Sequence, residues 1–181
     1  MNKVEMNKSM KLSEHFTLGE MCKTKYKTAD GNIPSHVVIE NLKRICGWLE
    51  ELRVVAGVRP QSKVAGDCTL APDPGAAPEA GAAAEAKKEE AIVINSGYRS
   101  PEVNRLAGGV SSSNHVTGCA VDIRCAGKEQ MIRYAAILLD IADESKREFD
   151  ELLLEQHGSV CWLHFAVRPK DNRRKIALIK A

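Results

Sequence analysis

Residues 113–124, SNHVTGCAVDIR, decide the fold because a polar loop runs here into a short strand. Over residues 118–124 the side chains alternate, with Val121 and Ile123 on one face of the strand and Asp122 on the other. A strand of this pattern buries one face in a core and leaves the other face for polar groups. Asp122 is therefore predicted to point away from the apolar side of a sheet.

The chain on either side of this strand shows helical and strand patterns. Apolar residues spaced by three and four predict amphipathic helices, and short runs rich in β-branched residues predict strands. Short connections between the last strands favour antiparallel pairing, so the sequence predicts an α+β fold with helices packed on one antiparallel sheet. The predicted helices are 34–56, 101–107 and 128–142, and the predicted strands are 91–95, 118–124, 149–155, 160–167 and 174–179.

Length and composition favour one compact domain over residues 1–181, of which 44% are hydrophobic and 28% charged. Residues 71–86 hold eight alanines, three prolines and two glycines, with no aromatic or β-branched residue. Such a stretch cannot build a core, so a flexible Ala/Pro-rich insertion is predicted at about 60–90. The first thirty residues are expected to dock as an arm through a few apolar anchors: Phe16, Leu18 and Met21.

Charge and apolar runs limit the partners. The 26 basic and 24 acidic residues give no strong field of one sign, so nucleic acid is not expected as a partner. No apolar run reaches the about 18 residues of a membrane span, and the first residues lack the apolar core of a secretory signal. We expect a monomer that is cytoplasmic as synthesised, with its six cysteines mostly reduced and buried.

Two histidines and an aspartate form the candidate metal site. His115, Asp122 and His164 are a complete ligand set for a catalytic zinc ion that keeps a fourth position open for water. His164 is expected on a strand beside that of Asp122, with Trp162 on the same face as a wall. Spacing alone leaves an alternative open, in which His115 is a polar loop residue, His164 a hydrogen-bonded strand residue and Asp122 a solvated acid.

A wider set of motifs resembles the zinc D-alanyl-D-alanine carboxypeptidase superfamily. Its members include D,D-carboxypeptidases, D,D-dipeptidases and phage endolysin peptidases, which share a hedgehog/D,D-peptidase α+β fold and cut peptidoglycan peptides. The resemblance extends to residues 12–17 and the helix at 34–53, and it covers nearly the whole chain except the Ala/Pro-rich insertion. Its motifs are SGYRSP (96–101), Asn104, GG (108–109), SNH (113–115), Gly118, Ala120, DIR (122–124) and WLH (162–164).

The resemblance implies roles for five of these residues. His115, Asp122 and His164 would bind one zinc ion. Arg99 would point into the site and stabilise an oxyanion or hold a substrate carboxylate, although a structural salt bridge in a turn is the alternative. Ser113 would orient His115 or bind substrate, although a serine that caps its own loop is equally consistent with the sequence.

The general base is where the chain departs from several members of the superfamily. They carry a glutamate three residues before the last histidine ligand, and that position here is Cys161. Glu155 is the substitute, because it ends the predicted strand next in sequence to the one with His164. A carboxylate there would take a proton from water and pass it to the leaving amine. An exposed strand-end acid is the alternative for Glu155, and His157 is a weaker candidate.

These residues imply a zinc-dependent metallopeptidase that hydrolyses amide bonds in peptidoglycan stem peptides, as a D,D-carboxypeptidase or an endolysin-like enzyme. It would act on the cell wall when released by lysis or phage assembly. The alternative is a catalytically weak or inactive zinc-containing module of a phage or prophage that binds the cell wall or serves a structural role. Cys161 at the usual base position favours that alternative.

Overall fold

The computed structural model of the protein describes residues 6–58 and 90–180. Residues 59–89 hold nearly all of the predicted insertion at about 60–90 and lie outside the described residues, so the insertion and the single domain over 1–181 stay predictions. The described elements are α1 (Leu18–Met21), α2 (His36–Val58), β1 (Ile94–Ser96), α3 (Pro101–Leu106), β2 (Ala120–Cys125), α4 (Lys128–Ser145), β3 (Glu151–His157), β4 (Val160–Ala166) and β5 (Lys175–Lys180).

The five strands form one sheet in the order β1-β2-β4-β3-β5. The first four pair antiparallel, and β2 and β4 are in register with Asp122 opposite His164. The helices α2 and α4 contact each other, and both contact the sheet. The predicted α+β fold, an antiparallel sheet with flanking helices, is confirmed.

The last strand differs from the antiparallel arrangement that its short connection predicts, because β5 pairs parallel with β3. Both sides of β4 are already occupied, by β2 and by β3. A strand that follows β4 and reverses direction can therefore pair with the free edge of β3. Because β3 is itself antiparallel to β4, the new strand runs parallel to β3. The connection through 167–174 crosses the end of β3 to reach that edge.

The apolar face of the sheet packs against the helices. Ile123, Leu163 and Phe165 are fully buried there, and the Trp48 ring of α2 meets the Phe165 ring edge-on with centroids 5.3 Å apart. Cys161 lies on the same face, 3% exposed and opposite Cys125 in the register. The opposite face of the sheet is thereby left to polar side chains.

The N-terminal arm docks through the predicted anchors Phe16, Leu18 and Met21, all of which are buried. The Met21 carbonyl accepts a hydrogen bond of 2.7 Å from the Tyr98 amide. A Cβ atom at Gly97 would clash with that same carbonyl, so only glycine permits the close approach. The arm thus contacts the loop that carries Arg99.

Two further sequence expectations concern burial and membranes. The five cysteines among the described residues are free and buried, as expected of small apolar side chains. Within 6–58 and 90–180, no helix is both long enough and apolar enough to cross a membrane.

Candidate metal centre

The register of three central strands places the predicted ligands on the polar face of the sheet. Asp122 of β2 lies directly opposite His164 of β4, and Leu153 of β3 follows on the other side of His164. Because side chains alternate along a strand, Trp162 shares this face with His164, as the sequence predicts. Two of the three candidate ligands are therefore neighbours on rigid strands.

His115 reaches the same point from the loop that precedes β2. The Arg99 amide donates to the His115 carbonyl at 3.2 Å, which ties this loop to the one after β1. Gly118 has φ +71°, and a Cβ atom there would come within 2.8 Å of Val38 on α2. Glycine thus lets the chain turn tightly against the helix and enter β2.

The donor atoms of the three residues converge. The Nε2 atom of His115 lies 3.2 Å from Oδ1 of Asp122, and Nδ1 of His164 lies 2.9 Å from that oxygen. One donor atom from each residue lies within 4.8 Å of those of the other two. All three residues are at least nine-tenths buried.

An outer hydrogen bond fixes which nitrogen His115 presents to the centre. The Nδ1 atom of His115 lies 2.6 Å from the Gly97 carbonyl oxygen. Because a carbonyl only accepts, Nδ1 carries a proton, which leaves Nε2 to face Asp122 and to offer its lone pair when a metal ion binds. This is the arrangement that metal-bound histidines commonly show in proteins.

The electrostatics of the centre favour a cation. Burial alone would raise the pKa of Asp122, but His115 and His164 outweigh it and hold that pKa well below the usual range. Burial alone would lower the pKa of His164, but the hydrogen bond to Asp122 and the nearby carboxylate of Glu151 raise it to about 9. The anionic carboxylate therefore attracts positive charge, which protons or a metal ion supply.

This donor set fits zinc. Two imidazole nitrogens and one carboxylate oxygen are a recurrent catalytic zinc set, with three protein ligands and room for one more. The structure thus brings together all three predicted ligands, and their role as ligands stays a prediction.

Arg99 lies at the edge of the centre, and part of its guanidinium is hydrogen-bonded to other side chains. Its Nη2 atom donates to Oδ2 of Asp122 at 2.5 Å, and its Nε atom donates to Ser96 Oγ at 2.8 Å. Its Nη1 atom makes no hydrogen bond within the described part of the chain. The guanidinium therefore orients the carboxylate through an ion pair, and its catalytic and substrate-binding roles stay predictions.

Ser113 caps its own loop, since its hydroxyl accepts a hydrogen bond of 3.3 Å from the His115 amide. It also lines a cleft of about 860 Å³ that His164 and Asn114 share. The structure therefore supports the loop-capping alternative, and substrate binding by Ser113 stays a prediction.

Glu155 lies on the polar face, one row of the sheet away from the metal ligands. In the register it stands opposite Trp162, which in turn stands opposite Arg124. Burial raises the pKa of Glu155, and the negative charge of Asp122 adds to the effect. Cys161 points to the apolar face, so it cannot serve the centre. Glu155 is thus the better placed of the two, and its role as the base stays a prediction.

Glu151 is a residue of the centre that the sequence reasoning missed. Its Oε2 atom lies 3.7 Å from Nε2 of His164, an ion-pair distance, and it accepts a hydrogen bond of 3.0 Å from Asn114. Its interactions with His164 outweigh burial, and Lys175 helps, so its pKa is lowered to about 2. Alternation of 151, 153 and 155 onto one face of the predicted strand is a partial signal, since it places Glu151 with Glu155 but not beside His164.

Glu151→Gln is expected to weaken zinc binding about tenfold or more, because a carboxylate behind a metal-bound imidazole orients it and raises its basicity. Competition with a chromophoric chelator measures the affinity, and Glu144→Gln on the exposed side of α4 is the control. Equal zinc affinity in wild type and Glu151→Gln would contradict this role.

Asp150 anchors the loop that carries Asn114 and His115. Its carboxylate is fully buried and accepts two 2.7 Å hydrogen bonds from the Arg173 guanidinium and another of 2.7 Å from Asn114. Burial opposes these contacts, which nevertheless lower the pKa of Asp150 to about 2. Asn114 directly precedes His115, so this ion pair fixes the loop that presents a candidate ligand.

Asp150→Asn is expected to destabilise the protein by about 2 kcal/mol at pH 7, because Arg173 loses a buried ionic acceptor while staying half exposed to water. A carboxyl whose pKa is lowered by folding stabilises the protein above its unfolded value of about 3.9 and loses that effect as pH falls towards 2. The difference in the free energy of unfolding between wild type and Asp150→Asn should therefore shrink between pH 4 and 2. Urea denaturation of the metal-free proteins measures it.

The control for this comparison is Asp171→Asn, an exposed aspartate in the neighbouring turn. Asp171→Asn should change the free energy of unfolding by no more than about 0.5 kcal/mol, both at pH 7 and at pH 2. A gap between wild type and Asp150→Asn that is constant with pH would show that the Asp150 charge does not contribute.

Comparison with known proteins finds a protein family that matches part of the chain. Residues 67–147, somewhat less than half of the chain, match the family model described as Peptidase M15. The matched region contains Arg99, His115 and Asp122, and it ends before Glu155 and His164. A search of curated proteins gives no match to the chain. This family is zinc-dependent, and its match supports the resemblance to the M15 zinc D-alanyl-D-alanine carboxypeptidase superfamily, in agreement with a His-Asp-His site that could hold a metal ion.

Proposed function

We propose that the protein is a zinc-dependent metallopeptidase that hydrolyses amide bonds in peptidoglycan stem peptides. The observation that carries the proposal is the convergence of His115, Asp122 and His164 on one point, with the outer partners that metal-bound imidazoles need. The family match supports a peptidase, and the cell-wall substrate is the finer part of the proposal.

The chain's own residues divide the chemistry between them. His115, Asp122 and His164 would hold the zinc ion, which supplies a Lewis acid for the scissile carbonyl and makes water more acidic. The free edge of Arg99 would donate to the oxygen that gains negative charge. Glu155, kept more basic by burial, would take the proton of the attacking water and pass it to the leaving amine.

Two open depressions give an extended peptide a path past the centre. The cleft of about 860 Å³ adjoins His164, and a groove of about 550 Å³ adjoins Arg99. Arg99 is bonded to Asp122, and Asp122 to His164, so the ligands lie between the two. A scissile bond at the centre would thus leave one part of the substrate on each side.

Metal analysis combined with digestion tests the proposal. Purified protein should contain about one zinc ion per chain and release peptide fragments from peptidoglycan, identified by mass spectrometry. Loss of products on chelation and their return with zinc would support a metallopeptidase. Fully zinc-loaded protein that releases no product from any stem peptide would refute it.

A second candidate function is a zinc-containing module of a phage or prophage that binds the cell wall without cutting it. Cys161, which stands on the apolar face at the usual position of the base, favours this candidate. Binding to intact peptidoglycan without released fragments is the result that would support it over the peptidase.

A further inference from the structure

We propose that the groove beside Arg99 binds a carboxylate-bearing part of the substrate. This basic groove is defined by the cationic side chains Lys23, Lys25, Arg99 and Arg124, which line it together with β1 and α3. The inference rests on the proposed function, because it assigns one side of the same centre to the acidic groups of a peptide.

The charges of the basic groove are of one sign. Four of its described lining residues are cationic and none is acidic. Arg99 pairs with Asp122, and Lys23 lies within electrostatic reach of Glu20. Two positive charges remain after these two carboxylates are counted against the four cations.

Arg124 is the cation of the basic groove with the fewest polar contacts. Its exposed side chain has no hydrogen-bond or ion-pair partner among residues 6–58 and 90–180, and it lies on a rigid strand two residues beyond Asp122. The same alternation that turns Asp122 towards the centre turns Arg124 to the same face. A guanidinium with a free planar edge is suited to binding a carboxylate through two parallel hydrogen bonds.

The cleft on the other side of the centre has a smaller excess of positive charge. Its cations are Arg168, Lys170 and Arg173; Arg168 and Arg173 lie within ion-pair distance of buried Asp150, and Glu151 also lines the cleft. One positive charge remains there after Asp150 and Glu151 are counted, compared with two in the basic groove, so an anionic group would meet the larger excess of positive charge on the Arg99 side, within the described part of the chain. The electrostatic asymmetry orients the substrate across the ligands.

Three stem pentapeptides test the assignment. The first has all its carboxylates free, the second has the side carboxylate of its acidic second residue converted to a carboxamide, and the third is amidated at its C-terminus. They are compared on zinc-loaded wild type, on Arg124→Gln and on Lys23→Gln/Lys25→Gln. The control is the double variant Lys128→Gln/Lys180→Gln. It removes two positive charges, as Lys23→Gln/Lys25→Gln does, but from exposed sites outside the groove.

Both groove variants should raise KM for the free peptide about tenfold and leave kcat within about twofold, because they remove an interaction made equally before and during reaction. One of the amidated peptides should show the raised KM already with wild type and respond little to the variants, which identifies the carboxylate bound. The increase should also diminish in high salt.

Calorimetric titration of the peptides into zinc-depleted protein separates this proposal from the proposed function. Selective binding of the free peptide, lost in the groove variants, supports the groove even if no hydrolysis occurs with zinc. Hydrolysis with equal KM for all three peptides and no change in the groove variants overturns the groove and leaves the peptidase intact. Absence of both binding and hydrolysis overturns both.

Discussion

His115→Ala is expected to abolish both zinc binding and peptide release. It removes one of three donors, and the loss should exceed the about 10–100-fold that follows removal of an outer partner such as Glu151. The buried carboxylate of Asp122 would lose one of its two imidazole partners as well. Zinc content by mass spectrometry and fragment release from peptidoglycan measure the two effects.

His36→Ala is the matched control, since His36 is an exposed histidine at the first turn of α2. It should keep one zinc ion per chain and full activity. A His115→Ala protein that is folded by circular dichroism and still holds stoichiometric zinc would show that the ion binds elsewhere.

Glu155→Gln is expected to lower kcat by about 10²–10⁴-fold while zinc stays bound. The amide keeps the size of the side chain and its place opposite Trp162, but it cannot take a proton from water. This pattern is the reverse of that for Glu151→Gln, whose first effect is on metal affinity. Single-turnover kinetics on zinc-saturated protein separate the two residues.

Glu148→Gln, an exposed glutamate just before β3, is the control for Glu155→Gln. Its kcat should match that of wild type. Should Glu155→Gln retain full kcat, the base would lie elsewhere, and Glu155 would be reduced to a neighbour of the centre.

The sequence predicts the part of the site that depends on local alternation. The pattern through Val121, Asp122 and Ile123 places the aspartate on the polar face, and the pattern through Trp162 and His164 does the same on β4. Both follow from a period of two residues, which needs no knowledge of strand order. The antiparallel sheet was predicted separately, from the short connections between the last strands.

The parts that the sequence does not predict depend on contacts between distant segments. Glu151 meets His164 and Asn114 only because of the pairing of β3 with β4 and the path of the preceding loop. The parallel edge position of β5 follows from which edges are already occupied, a property of the whole sheet. The ion pair of Arg99 with Asp122 likewise joins residues that single-sequence patterns do not connect.

The hydrogen bond between His115 and the Gly97 carbonyl has an evolutionary consequence. The acceptor is a main-chain oxygen, so the protonation pattern of this imidazole does not depend on any side chain that point mutation can delete. Glycine at 97 is in turn required by the docked arm. One backbone atom thus ties the orientation of a candidate metal ligand to the path of the chain.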